Sequence, residues 1–392
     1  MEEMWIAGIA KENYSNFCDV YNNSLPYRTN KRTIIFGAGI MGLQFGYTIE
    51  ALGDKDFLFC DNDREKWGKE IAGRKVISPD ELKGNKDKYF VFLAMERYEA
   101  CALQLENLEY GKDADWTNLS NCAEKKLLED SQKDNEAEVI VLGDCAVNVV
   151  SLTDEYKMSL AELLYDKGRV KVLALNGLYM RAYYNILLMC LEKMNKVKKV
   201  ALLLDTGIFQ EKFCCYSGNQ HVRVMEALQV ISGKNDSVIV DFLEDARRRE
   251  NAESLLSPSS PNRRENISGE ALERERKMHM RLNYLYPVKT ETESFRYLEL
   301  FVKECASRAV EVLGVIMPIN NEKGEEYFGE AFYEKYEKIT REIAACIEEN
   351  GGTVLDLSYV LKHTEFISIR STNEGMTSEG RIKVAGMIKE KL

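Results

Sequence analysis

The chain lacks any continuous apolar stretch approaching the roughly 18 residues of a membrane span. Its apolar runs at 200–204 and 312–317 have strand length. A cationic leader is missing as well. Residues 4–10 are apolar but short, and Glu2 and Glu3 precede them where an export signal carries positive charge. A cytoplasmic protein without a membrane span is therefore expected. Metal-type cysteine spacing is absent: ten cysteines include no Cys-x-x-Cys pair, and the adjacent Cys214 and Cys215 do not suit a zinc site. They read as free thiols in a reducing compartment. Positive charge is in deficit. The net charge of −11 disfavours a nucleic-acid backbone or an anionic membrane as the main partner, since both reward clustered Lys and Arg. Histidine is scarce, with only His221, His279 and His363, so few side chains are available as a general base near neutrality.

What is present describes an α/β protein. With 392 residues, the chain has room for two or three domains of about 150 each. Residues 1–30 are a mixed aromatic lead-in. Residues 32–36, Arg-Thr-Ile-Ile-Phe, form a β-branched strand that runs into Gly37-Ala38-Gly39-Ile40-Met41-Gly42. Helical spacing follows over 43–52, then a strand at 57–60 ending in Asp61-Asn62-Asp63. A Gly-x-Gly-x-x-Gly run between a strand and a helix is the dinucleotide fingerprint in its proper setting. The first glycine makes the turn, the second admits a pyrophosphate to the backbone, and the third lets helix and strand pack. Asp61 lies where an acid, about 20 residues past the loop, hydrogen-bonds a ribose hydroxyl. Gly37, Gly39, Gly42 and Asp61 are thus the expected ligand residues, and the expected cofactor is a nucleotide or a nucleotide sugar. Residues 89–93 supply a further strand. The polar stretch 111–137 reads as a linker, with a domain boundary near 135.

The stretch 36–82, with its glycine loop, Asp61-Asn62-Asp63, Gly73 and Pro79, resembles the N-terminal nucleotide-sugar-binding domain of bacterial sugar acyltransferases. That resemblance implies a short Rossmann-like module over 31–135 that holds a sugar nucleotide and carries out no hydride chemistry. An NAD(P)-dependent oxidoreductase is the weaker reading, because no Tyr-x-x-x-Lys follows the glycine loop.

The second part, 136–392, opens on a short strand at 139–142 followed by Gly143-Asp144-Cys145. A nucleophilic side chain at the C-terminal end of a buried strand occupies the edge where open α/β sheets bind ligands. Cys145 is expected to open a helix whose dipole lowers its thiol pKa. Helix and strand then alternate: a strand at 170–175 ending in Asn176-Gly177, a helix at 179–194, and a strand at 200–204 ending in Asp205-Thr206-Gly207. Residues 210–300 read as an insertion, with a helix at 222–232, a strand at 237–242, a loop at 257–262 and a charged helix at 270–283. A strand at 309–317, a helix at 327–350, a strand at 353–357 and a terminal helix after Thr377 complete a largely parallel sheet.

This order of strand ends resembles the SGNH hydrolase family, in the branch that modifies cell-surface polymers, including D-alanyl transfer proteins of lipoteichoic acid. Gly143-Asp144-Cys145 stands at the family's Gly-Asp-Ser block, and Asn176-Gly177 at its glycine block. The resemblance implies a flavodoxin-like domain with Cys145 as nucleophile, its own N–H and that of Gly177 as oxyanion donors, and Asp144 and Asn176 beside them. It also implies a glycan or sugar substrate and a role in surface polysaccharide biosynthesis. The chain departs from the family at Asp205-Thr206-Gly207, where the oxyanion asparagine is missing. It departs again at Thr372 and Gly375, which replace the acid and base of the last block. Acyl transfer or esterase activity and non-catalytic binding on the same scaffold both stay open, with a small-molecule nucleotide and a glycan as partners. A homo-oligomer is compatible with the sequence.

Overall fold

A computed structural model of the chain describes residues 8–95, 98–120, 136–151, 154, 156–174, 178–210, 269–367 and 375–392. It is mixed α/β with parallel-rich sheets, as the alternation of elements suggests. Two compact units are present, one in the described residues up to 120 and the other from 136 onward. Each is built around its own sheet. Among the described residues, no helix is long and apolar enough to cross a membrane.

In the first unit the strands are β1 (Arg32–Phe36), β2 (Phe57–Cys60), β3 (Glu70–Ile71), β4 (Arg74–Ile77), β5 (Tyr89–Leu93) and β6 (Trp116–Asn118). Their spatial order is β3-β4-β2-β1-β5-β6, parallel throughout except for the β3–β4 hairpin. The hairpin turns on Ala72 and Gly73, both at positive φ, which matches the right-handed strand twist and explains the glycine. β1 is buried on both sides, so its core residues form a continuous apolar run. Ile34 and Phe36 pack with Leu105 and Trp116, on the side of α3 (Glu99–Asn107). Elsewhere, α1 (Lys11–Asn23) and α2 (Ile40–Ala51) bring Phe17 and Phe45 edge to face, with centroids 5.5 Å apart, and Phe92 of β5 packs on Phe45 at 4.8 Å. That contact joins both helices to the sheet.

The second unit has five parallel strands: β7 (Val139–Gly143), β8 (Val170–Ala174), β9 (Lys199–Leu204), β10 (Glu311–Ile316) and β11 (Thr353–Asp356). Their order is β8-β7-β9-β10-β11, which in chain order reads 2-1-3-4-5. Alternate residues serve opposite layers. Ile140, Leu142, Leu202 and Leu204 meet α6 (Met180–Lys193), α8 (Glu293–Ser307) and α10 (Glu330–Glu349) through Ile186, Leu298 and Ile343. Val141, Ala201 and Leu203 meet α5 (Leu160–Leu164) and α11 (Ser378–Lys389) through Leu164 and Ile388. Within the helix expected at 327–350, Phe332, Tyr336, Ile339, Ile343 and Ile347 recur at helical spacing and are buried. The expected helix is α10 (Glu330–Glu349); residues 327 and 328 end a separate preceding helix, α9 (Asn321–Phe328), and Gly329 at φ +62° divides the two. Residues 293–300, placed by sequence within the insertion, are the first half of α8 and carry core side chains.

Arg381 of α11 is fully buried. Its guanidinium donates to the Met158, Met376 and Tyr156 carbonyls and pairs with Asp154 at 2.8 Å, so every part of the fork is occupied. The segment 154–158 is thereby tied to the terminal helix.

Candidate functional site

In the first unit, β1 delivers the chain to the glycine loop and α2 carries it away. The three glycines are not equivalent. Gly37 has φ +111°, and a Cβ there would lie 2.8 Å from the Ala94 carbonyl oxygen. A Cβ on Gly42 would lie 1.9 Å from the Gly37 carbonyl oxygen. Both glycines are required by the fold itself. Gly39 is extended, with φ −107° and ψ −166°, and a Cβ on it would meet nothing within 4 Å. Neither backbone strain nor packing asks for glycine at that position, whereas close approach of a ligand does. Gly39 is also the N-cap of α2 and provides no side-chain acceptor for the first-turn N–H groups. An N-terminus of this kind favours an anion.

Asp61 leaves β2 and turns back onto the loop. Its Oδ2 accepts from the Ala38 N–H at 2.9 Å and from Lys66 Nζ at 3.1 Å, and its Oδ1 accepts from the Asp63 N–H at 2.9 Å. Lys66 Nζ also donates to the Ala38 carbonyl at 3.1 Å. A one-turn 3-10 helix, Arg64–Lys66, capped by Asp63, carries the lysine back, and Trp67 Nε1 fixes the turn by donating to the Asp61 carbonyl at 2.7 Å. Lys66 was missed by sequence reasoning. Its signal was a lone cation five residues past the acid at a strand end.

In the second unit the sheet reverses its winding between β7 and β9, the position at which ligands collect in open α/β sheets. Asp144 follows β7 and Asp205 follows β9. The Asp144 carboxylate is turned inward as a cap: Oδ1 accepts from the Ala146 N–H at 2.9 Å. Burial pushes its pKa up to about 7, and the neighbouring Asp205 carboxylate adds to the rise. Asp205 accepts from the Gly207 N–H at 2.7 Å and from the hydroxyl of Tyr284, the last residue of α7 (Glu270–Tyr284), at 3.1 Å, yet burial still raises its pKa. Two carboxyls so placed ionise together only at a cost. The adjacent Thr206 carbonyl accepts from the Tyr286 hydroxyl at 2.6 Å. The sequence showed Asp144 and Asp205 separately; the parallel pairing of β7 with β9 makes them neighbours.

Cys145 begins α4 (Cys145–Asn148), a single turn that passes at once into the extended segment Val149–Ser151. The expected helix and its dipole are therefore not available to this thiol, because one turn aligns too few peptides. The Cys145 side chain lies outside the described residues, as do Asn176, Gly177, Thr372, His221 and the expected elements at 222–232, 237–242 and 257–262. Most of the linker and the expected boundary near 135 lie outside them too. Gly375 is described, and a Cβ on it would sit 3.0 Å from Val149 Cγ1. Among the described residues, burial pushes the thiols of Cys190 and Cys305 up to about 12 and that of Cys346 up to about 11, and it raises those of Cys60 and Cys101.

His363 lies beyond β11 and packs beside α9. Asn320 Oδ1 caps α9 by accepting from the Lys323 N–H at 3.2 Å, which fixes the amide so that Nδ2 faces His363 Nδ1 at 2.9 Å. Nδ1 is then an acceptor and the proton of the neutral ring sits on Nε2. Burial and the Lys323 charge hold the imidazole pKa below its usual value.

Among known proteins, no family model matches the chain, and no curated protein matches it.

Proposed function

We propose that the protein binds a nucleotide or sugar nucleotide at Gly37-Ala38-Gly39 and takes part in modifying a sugar or glycan, in surface polysaccharide biosynthesis. On this reading residues 31–135 are a Rossmann-like module. Residues 136–392 are a flavodoxin-like domain of SGNH type with altered catalytic blocks. The observation that carries the proposal is the asymmetry of the loop: two glycines serve the fold, and the third faces open space. Its test is a thermal-shift panel of sugar nucleotides, in which a ligand of the folded state raises the melting temperature. A panel without any shift, repeated by calorimetry with the same result, overturns it.

For the second unit, non-catalytic binding is the favoured reading. Acyl transfer by Cys145 needs a base within about 3 Å or one water of the thiol. The two family positions for acid and base hold Thr372 and Gly375, and the Nδ1 of His363 is committed to Asn320. The alternative is an acyltransferase or carbohydrate esterase with Cys145 as nucleophile and the N–H groups of Cys145 and Gly177 as oxyanion donors. Turnover of an acetylated sugar that disappears in Cys145→Ala would establish the alternative. Its absence from both wild type and variant supports binding alone.

A further inference from the structure

We propose that Lys66 is a phosphate-binding residue of the glycine loop, and that Asp61 positions it instead of accepting a ribose hydroxyl. The inference rests on the nucleotide reading above and assigns the ligand's charged group to a particular side chain. A carboxylate offers about four lone-pair directions. Ala38 N–H, Lys66 Nζ and Asp63 N–H already occupy three of those on Asp61, and all three donors belong to the loop or to the turn beside it. The acid is thus committed chiefly to holding the chain in place, with one direction on Oδ1 left over.

Lys66 is the opposite case. An ammonium has three N–H donors, and two of them go to the Ala38 carbonyl and Asp61 Oδ2, each at 3.1 Å. These two bonds place the charge on the peptide between Gly37 and Gly39. A pyrophosphate laid against Gly39, where a Cβ would find open space, comes alongside the third donor. The electrostatics point the same way. Without Lys66, the Asp61 carboxylate stands uncompensated beside an arriving polyanion, and repulsion adds to the lost contact. The turn 61–67 is braced by Trp67 and by the Asp63 cap, so the lysine is positioned before any ligand arrives.

The test uses the full chain and calorimetry with UDP and ADP, each compared with its nucleoside. For whichever nucleotide binds, Lys66→Gln should weaken the diphosphate about tenfold, as expected for a charge-assisted contact, and leave the nucleoside unchanged. Lys66→Arg should retain most of the affinity. Adding Asp61→Asn to Lys66→Gln should recover part of the loss, because the uncompensated carboxylate is gone. If Lys66→Gln loses the fold, Lys66→Met keeps the aliphatic stem and serves instead. Equal weakening of diphosphate and nucleoside would mean that Lys66 only supports the loop, and the proposal falls. Unchanged diphosphate affinity in a folded Lys66→Gln protein, with binding abolished in Gly39→Val, rejects the role of Lys66 while nucleotide binding stands. If neither UDP nor ADP binds the wild-type chain at millimolar concentration, the nucleotide reading fails and takes this proposal with it.

Discussion

The two sheets end in opposite kinds of chemistry. At the C-terminal edge of β1 and β2, the acid Asp61 is matched by Lys66 and by main-chain N–H groups, and the N-terminus of α2 at Gly39 carries no side-chain cap. At the C-terminal edge of β7 and β9, Asp144 and Asp205 stand together with no ion-pair partner among the described residues, and both carboxyls hold their protons to higher pH than usual. The same parallel-strand geometry thus builds a charge-compensated edge in one unit and a proton-holding edge in the other. Which of the two a strand end becomes depends on what folds back over it: a lysine-bearing turn in the first unit, a tyrosine in the second.

The largest effect that can break this comparison lies within the glycine loop. Gly42→Ala should destabilise the first unit by about 3–5 kcal/mol, because its Cβ collides with the Gly37 carbonyl, whereas Gly39→Ala should stay within about 1 kcal/mol of wild type. Urea unfolding followed by Trp67 and Trp116 fluorescence checks both. If the two variants are equally destabilised, the loop's asymmetry is not real.

A comparable loss is expected from Arg381→Met, which strands Asp154 and leaves carbonyls of the segment 154–158 without their donor. Breaking a buried pair by removing one partner costs about 3–5 kcal/mol. Calorimetry should show the loss in the transition of the second unit, with that of the first unaffected if the units unfold separately.

The acidic edge gives a smaller effect with a definite pH sign. The folded pKa of Asp144 is raised from 3.8 to about 7, so the native state keeps a proton that the unfolded chain has released. Its favourable contribution is complete below the unfolded pKa and is lost as pH rises through the folded value. Asp144→Asn keeps an oxygen for the Ala146 N–H and removes the charge. The variant should be more stable than wild type at pH 8, by on the order of 1–3 kcal/mol, with a much smaller difference at pH 5. A difference that does not change with pH would contradict the carboxyl pairing. The smallest expected effect is at His363, whose NMR titration should fall below the usual imidazole range and remain on the Nε2–H tautomer through neutrality.

Sequence carried the strands well, because parallel strands buried on both faces read as uninterrupted apolar runs. Residues 32–36, 57–60 and 89–93 are strands with those bounds. The glycine loop was legible as a motif, but the distinction between Gly39 and its neighbours needed the Ala94 and Gly37 carbonyls in place. α8 was missed even though Phe295, Leu298, Phe301, Val302 and Cys305 follow helical spacing after Thr292, since the charged sequence before it suggested an exposed insertion. The short hairpin β3–β4 was hidden by Ala72, a residue seldom found at positive φ. Cys145 misled in the other direction: a turn after a buried strand suggested a full helix, but the helix is only the four residues Cys145–Asn148 before the chain extends. The Asp144–Asp205 and Asp61–Lys66 pairings are tertiary and local-turn events that no spacing rule announces.

On the proposed function, the first unit's loop is shaped for a phosphate and not merely for its own packing. The direct measurement is calorimetric titration of wild type and Gly39→Val with the sugar nucleotide that gives the largest thermal shift. The account predicts a folded Gly39→Val protein, melting close to wild type, with affinity reduced about a hundredfold or more as its side chain occupies the space against the backbone. A folded Gly39→Val protein that binds as tightly as wild type would contradict it.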